Sequence, residues 1–261
     1  MDLNVDGNAA LVTASSSGLG LASAKALARE GANVTICGRS EDRLDSAKAD
    51  VESVADGEVR ALPADITNRD EVAALVEETV DAFGGLDHVV TSAGGVPSGA
   101  FLDMDQADWY DAYDMLVMSH VWTLQEAHPY LEASNAGSVV SITSTSVREA
   151  IDGLILSNAV RRAVIGTVKT VAREFAPDVR ANAVLPGAHE TPRIQELVEQ
   201  SLDRGEYDSY EEGLQDWSSD IPLGRVGDPM ELGDAVAFLS SDRASFVTGA
   251  AVPVDGGRLR S

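Results

Sequence analysis

The sequence predicts an α/β fold: one doubly wound domain over residues 1–261, with a seven-stranded parallel sheet carrying helices on both faces. Three observations predict it. Short β-rich runs recur along the chain. They alternate with stretches whose apolar residues return every three or four positions, as on one face of a helix. No repeat, low-complexity run or proline-rich linker divides the series. With 44% hydrophobic and 24% charged residues, the chain can bury one large core and is not disordered by composition.

The elements follow in order. The first strand is expected at 9–13 (AALVT), running through TASSSGLG (13–20) directly into the helical stretch LGLASAKALAREG. The second (NVTIC, 33–37) ends in CGRS, the third (VRALPA, 59–64) in ADIT, and the fourth (LDHVVT, 86–91) in TSAGG at 91–95. A second amphipathic stretch, DEVAALVEETVDAFG, separates the third strand from the fourth. The fifth strand (SVVSIT, 138–143) precedes a helix that contains SNAVRRAVIG, and the sixth (RANAVL, 180–185) precedes LPGAHETP. An irregular acidic insertion at about 190–220, with Trp217 and several tyrosines, is expected to form a lid over the substrate, and the seventh strand (AAVPVD, 250–255) closes the sheet.

Charge is the abnormal property. The chain has 43 acidic and 19 basic residues, a formal net charge of −24, and lysine only at 25, 48 and 169. Such a surface repels polyphosphate backbones, which excludes nucleic acid as a partner. Acids spread over every helix resemble proteins of salt-loving cells, where salt screens self-repulsion. No run approaches the roughly 20 apolar residues of a membrane helix, and the first residues lack signal-peptide order, so the expected location is the cytoplasm, with no membrane partner. Cys37 is the one cysteine and lies in an apolar run, which excludes an internal disulfide. His88, His120, His128 and His189 are scattered without metal-ligand spacing, and no metal is expected.

A strand, a small-residue turn and a helix N-terminus bring main-chain N–H groups and the positive dipole end to a pyrophosphate. Gly18 and Gly20 allow the turn, and Ser15, Ser16 and Ser17 add donors. After the second strand, a carboxylate would accept the ribose hydroxyls of NAD; Gly38 and Arg39 stand there instead. An arginine suits a 2′-phosphate, so NADP is expected over NAD.

These motifs resemble the short-chain dehydrogenase/reductase family, of the branch that includes 3-oxoacyl-carrier-protein reductases. TASSSGLG stands for the family's TGxxxGxG turn with Ala14 at its first glycine, TSAGG for NNAG, Asp65 for the aspartate near the adenine, LPGAHETP for PGxxxT, and VTGAAVPVDGG for the closing strand. The match falls in order over residues 9–257. It implies a Rossmann-type fold, a small carbonyl or alcohol substrate and a homotetramer. It also implies a cofactor site of Thr13, Ser15, Ser16, Ser17, Gly18, Leu19, Gly20, Arg39, Asp65, Ile66, Ala93, Gly94, Arg161, Pro186, Gly187 and Thr191.

The family's chemistry uses an Asn, a Ser, a Tyr and a Lys. Here the serine is Ser144, but Ser157 stands for the tyrosine, Arg161 for the lysine and Leu116 for the asparagine. A tyrosine, whose ordinary pKa is about 10, can move a proton when a cation lowers it; a serine hydroxyl is a far weaker acid, and a guanidinium stays charged. Arg161 is therefore better suited to holding ribose hydroxyls or an anion, and Ser144 and Ser157 to binding a carbonyl or an oxyanion, than any of them to proton transfer. Ser157 and Arg161, four apart on a helix, share a face and can meet one ligand. Three readings stay open: an NADP-dependent oxidoreductase that takes its proton from water or from Glu149, Asp152 or His189; a catalytically inactive nucleotide or metabolite sensor; and non-redox chemistry of serine and arginine on an anionic or epoxide-like substrate.

Overall fold

The computed structural model describes residues 2–260, apart from the side chains of 193, 197 and 200. Its strands are β1 (Ala9–Val12), β2 (Asn33–Gly38), β3 (Val59–Pro63), β4 (His88–Thr91), β5 (Ser138–Ile142), β6 (Arg180–Pro186) and β7 (Ala251–Val254). They form one parallel sheet in the order β3-β2-β1-β4-β5-β6-β7. The seven strands are those the sequence predicts, shifted by two residues or fewer at their ends. The shift is largest at β4. There, the Asp87 carboxylate accepts the Ala9 amide, while the Asp87 amide still donates to the Ala9 carbonyl.

Parallel central strands are buried on both faces, which is why they read as unbroken apolar runs. Their side chains alternate between two cores. Ala10, Val12, Val90 and Val140 pack with α1 (Gly18–Arg29), α2 (Glu41–Glu52) and α9 (Pro229–Ser240). Leu11, Val89 and Val139 face the opposite way, onto α3 (Arg69–Phe83), α5 (Ser119–Ala133) and α6 (Ile155–Glu174). Cys37 lies in this second core, where burial pushes its thiol up to about 12 and makes it inert.

Helix ends are fixed locally. Asn68 accepts from the Asp70 amide to start α3, and Gly84, at φ 79°, stops it. Asp228, Pro229 and Glu231 start α9 with a reciprocal capping box. Helix α4 (Gln106–Tyr113) passes into α5 through a π-helical turn at Asp114–Met118.

The insertion at 190–220 is not irregular. It holds α7 (Pro192–Asp203) and α8 (Tyr210–Trp217). Ile194, Val198 and Leu202 recur every fourth residue, as do Tyr210 and Leu214, and these faces close with Trp217, Ala188 and Ile221 into a small apolar cluster of their own. The many acids mask this helical period. Among the described residues no helix is long and apolar enough to cross a membrane, and no His, Cys, Asp and Glu group could hold a metal ion.

Candidate active site and cofactor crevice

Strand order reverses between β1 and β4, and a crevice opens there at the carboxyl ends of the strands. It has two lobes that share Ala14, Ser17 and Gly94. One, of about 150 Å³, is lined by Ser16, Arg39, Arg43, Asp65, Ile66 and Met115 among others. The other, of about 320 Å³, runs from Gly18, Leu19 and Gly20 past Ala93 to Arg161 and Thr191.

The turn between the lobes is built for close approach. A Cβ on Gly20 would lie 2.7 Å from the Ala14 carbonyl oxygen, so only glycine lets α1 pack on the strand end here. Ala14 turns at φ 45°, the left-handed conformation for which the family's motif keeps a glycine. Ser17 precedes α1 in extended conformation, and its side chain makes no capping bond, whereas Ser40, Asn68, Asp105, Ser209 and Asp228 each cap their own helix. No acidic residue stands in the first turn of α1. The N–H groups and dipole of this 12-residue helix are thus left for an anion.

Two of the expected ligand-facing residues turn inward. The Ser15 hydroxyl donates to the Val12 carbonyl and accepts the Cys37 amide, while its own amide donates to the Cys37 carbonyl, so it clamps β1 to β2 and offers a ligand nothing. The Thr13 hydroxyl donates to the Ser92 carbonyl and accepts the Ser92 amide, which joins the ends of β1 and β4. Pro186 and Gly187 support the site from behind: Gly187 packs on Asp255 and its amide donates to the Val254 carbonyl.

In the smaller lobe, Arg39 is exposed at the end of β2, and Arg43 joins it one turn into α2. Sequence reading missed Arg43: Arg39 precedes Ser40, the N-cap of α2, so no helical spacing relates the two arginines. Asp65 is held below the ordinary carboxylate range: burial pulls it up, but the Thr67 amide and hydroxyl, both bonded to it, and the nearby Arg39 outweigh that. These two arginines, with the uncapped helix, are what a dinucleotide with a 2′-phosphate needs.

At the other end, Ser144 accepts the Ser146 amide at 3.1 Å and starts a short 3-10 turn, Thr145–Val147. That turn buries the Ser146 hydroxyl 3.2 Å from the Ser157 hydroxyl. Ser157 and Arg161 share a face of α6 as predicted, but they do not meet one ligand: Ser157 is spent on Ser146, and Arg161 alone reaches the crevice. No sequence period places Ser146, since it lies in an irregular turn. Burial pushes the Arg161 guanidinium down to about 10, still a cation at neutral pH. Leu116, in the π-helical turn, is buried in one apolar cluster with Leu156 and Val160.

The proposed proton sources lie elsewhere. Glu149 accepts the Arg260 amide and, with Asp152, lines a separate surface pocket of about 330 Å³. His189 is buried against Gly227, beside a cavity of about 490 Å³ formed by Ile221, Pro222, Leu223 and Pro253–Gly257.

Residues 13–258 match a family model described as enoyl-(acyl carrier protein) reductase. A 3-oxoacyl-[acyl-carrier-protein] reductase of Thermotoga maritima is 33% identical over 98% of this chain and 99% of its own length. The structure of an L-sorbose reductase from Gluconobacter frateurii, complexed with NADPH and L-sorbose, is 30% identical and superposes with a TM-score of 0.94 over all of both chains. That of an aldohexose dehydrogenase from Thermoplasma acidophilum is 27% identical, with a TM-score of 0.87 over 99% of this chain and 96% of its own. With fold, crevice and full-length similarity in agreement, the chain belongs to the short-chain dehydrogenase/reductase family of NAD(P)-dependent oxidoreductases.

Proposed function

We propose that the protein is an NADP-dependent oxidoreductase for a small carbonyl or alcohol substrate, working without the tyrosine and lysine that its family uses for proton transfer. The observation that carries this reading is the single crevice joining the uncapped N-terminus of α1 to Arg39 and Arg43. The N–H groups of the first turn of α1, with Ser17, take the pyrophosphate, and the two arginines take the 2′-phosphate. When bound, NADPH supplies the hydride. Ser144, at the end of β5, offers a hydroxyl to the substrate oxygen, and Arg161 offers charge at the same end of the crevice. No carboxyl, imidazole or phenol lines the larger lobe among the described residues, so the proton comes from water. Helices α7 and α8 serve as a lid: Thr191 and Pro192, where α7 begins, line the crevice, and Thr191 sits against Gly18 across it. A homotetramer in the cytoplasm, as in relatives of this branch, completes the reading; sedimentation equilibrium tests the assembly.

Fluorescence titration with NADPH and NADH in molar salt tests the cofactor. Charge-assisted hydrogen bonds are worth about 1.5–3 kcal/mol. Arg39→Ala and Arg43→Ala should therefore each weaken NADPH at least tenfold and leave NADH nearly unchanged. Equal binding of both nucleotides by the parent protein overturns the NADP assignment. A nucleotide sensor is the second reading, favoured by the bond that ties Ser157 to Ser146. Tight NADPH binding with no turnover across a carbonyl panel, in the parent and Ser144→Ala alike, would establish it.

A further inference from the structure

The cavity of about 490 Å³ beside His189 lies outside the cofactor crevice and shares no lining residue with either of its lobes. Pockets for small molecules run to roughly 300–1,000 Å³, so its size suits a ligand. The walls are mainly apolar, from Ile221, Pro222, Leu223, Pro253 and Val254. Its charged groups are already answered: Arg225 forks onto the Glu231 carboxylate, and the Asp255 carboxylate accepts the amides of Gly257 and Leu259. The His189 imidazole is what remains. It is only 4% exposed, and glycine at 227 seats the ring, since a Cβ there would lie 2.8 Å from its Cδ2. Nδ1 lies 3.2 Å from the Gly187 carbonyl oxygen, which can only accept, so Nδ1 carries the proton and Nε2 presents a lone pair. Among the described residues, Nε2 has no hydrogen-bond partner. Burial holds the imidazole below its ordinary 6.5, outweighing the Gly187 bond and the carboxylates of Glu231 and Asp228, so the ring is neutral at pH 7. A buried acceptor without a donor is costly, and a donor that enters the cavity removes that cost.

We propose that this cavity is a second small-molecule site, which takes a neutral compound with an apolar body and one hydroxyl group, an alcohol or a phenol, whose O–H donates to His189 Nε2. A ketone, an ester or a carboxylate has no proton to give. An anion would also meet the Asp255 and Glu231 carboxylates with no cation left to pair it. An ammonium group would bring three donors to a single acceptor. A hydroxyl brings one, and its apolar body covers the walls. The site stands apart from the oxidoreductase reading: the His189 side chain lines this cavity, whereas Thr191 and Pro192, two and three residues on, line the crevice.

4-Propylphenol and its methyl ether, 4-propylanisole, share one apolar body, and only the phenol has the O–H. Calorimetry on the full chain in 1 M KCl should find the phenol bound more tightly by about fivefold or more. That preference should vanish in His189→Leu and survive in part in His189→Gln, whose amide oxygen can accept. Leu223 lines the cavity and is 69% exposed, so Leu223→Trp fills the mouth without disturbing the interior and should abolish binding of both compounds. Nitrogen-15 spectra of the parent need no folded leucine variant: among four histidines, the Nε2 resonance that is missing from His189→Gln should move with the phenol and stay in place with the ether. Equal binding of the two compounds by the parent, a preference unchanged in His189→Leu, a resonance that does not move, or binding unchanged in Leu223→Trp overturns the proposal. Phenol affinity that falls as protein concentration rises would give the cavity to a second copy of the chain and overturn it too.

Discussion

Single residues set the character of this site by what they omit. In the proposed function, the serine at 157 is no substitute for a group able to give up a proton near neutrality, and its buried hydroxyl is paired with that of Ser146. Ala14 shows a smaller departure. Its methyl group sits at φ 45°, where an L-residue pays about 1–2 kcal/mol relative to the right-handed conformation. Glycine there would relieve that strain and would lose about 0.4–1 kcal/mol to the greater freedom of the unfolded chain. Ala14→Gly is therefore expected to stabilise the protein by about 1 kcal/mol. Urea unfolding measures this directly, and a midpoint at or below the parent's would show that the turn is not strained.

Between elements, polar pairs rather than apolar contacts fix how some strands meet. His88 on β4 lies between Asn8, before β1, and Ser138 on β5: the Asn8 amide donates to Nε2, and Nδ1–H donates to the Ser138 hydroxyl. His120 on α5 meets the Thr91 hydroxyl through Nδ1, and its Nε2 has no partner. Burial pushes both imidazoles down from the ordinary 6.5 to about 4, so both fold neutral. A depressed histidine pKa means that the unfolded chain takes up protons first. Stability should thus be full above about pH 6.5, fall as pH drops from there toward about 4, and level off below, by about 3 kcal/mol per histidine. Denaturant unfolding between pH 7 and 4.5 tests this, with His120→Asn expected to flatten part of the slope. An equal slope in parent and variant would remove His120 from the account.

On the scale of the whole molecule, the net charge of −24 dominates. Among the described residues the ion pairs are partly or fully exposed, as with Lys48–Glu52 and Arg60–Glu58, and such pairs contribute at most about 1 kcal/mol each. They cannot offset repulsion among the remaining acids. Raising KCl from 0.1 to 2 M shortens the screening length below the spacing of surface charges, so the melting temperature should climb by several degrees. A melting temperature that stays flat across that range would show that acid repulsion does not limit this fold.

Much of the architecture was legible in the chain because it rests on local rules. Apolar runs of strand length alternating with helical periods determined the parallel sheet. The turn at 13–20 and the ordered motifs determined the family. The helices α7 and α8 were not legible, because the sequence there reads as acid before it reads as period, and burial of Ile194 and Val198 is decided by the cluster they join. Side-chain direction was likewise beyond the sequence. Ser15 and Ser16 are neighbours in one turn, yet the first closes inward on Cys37 and the second lines the crevice. Arg161 and Ser157 share a helix face, yet only tertiary packing decided that a neighbouring turn would take the serine and leave the arginine to the crevice. Periodicity specifies which face of an element is buried; which partner each buried polar group finds depends on chain segments far away in sequence.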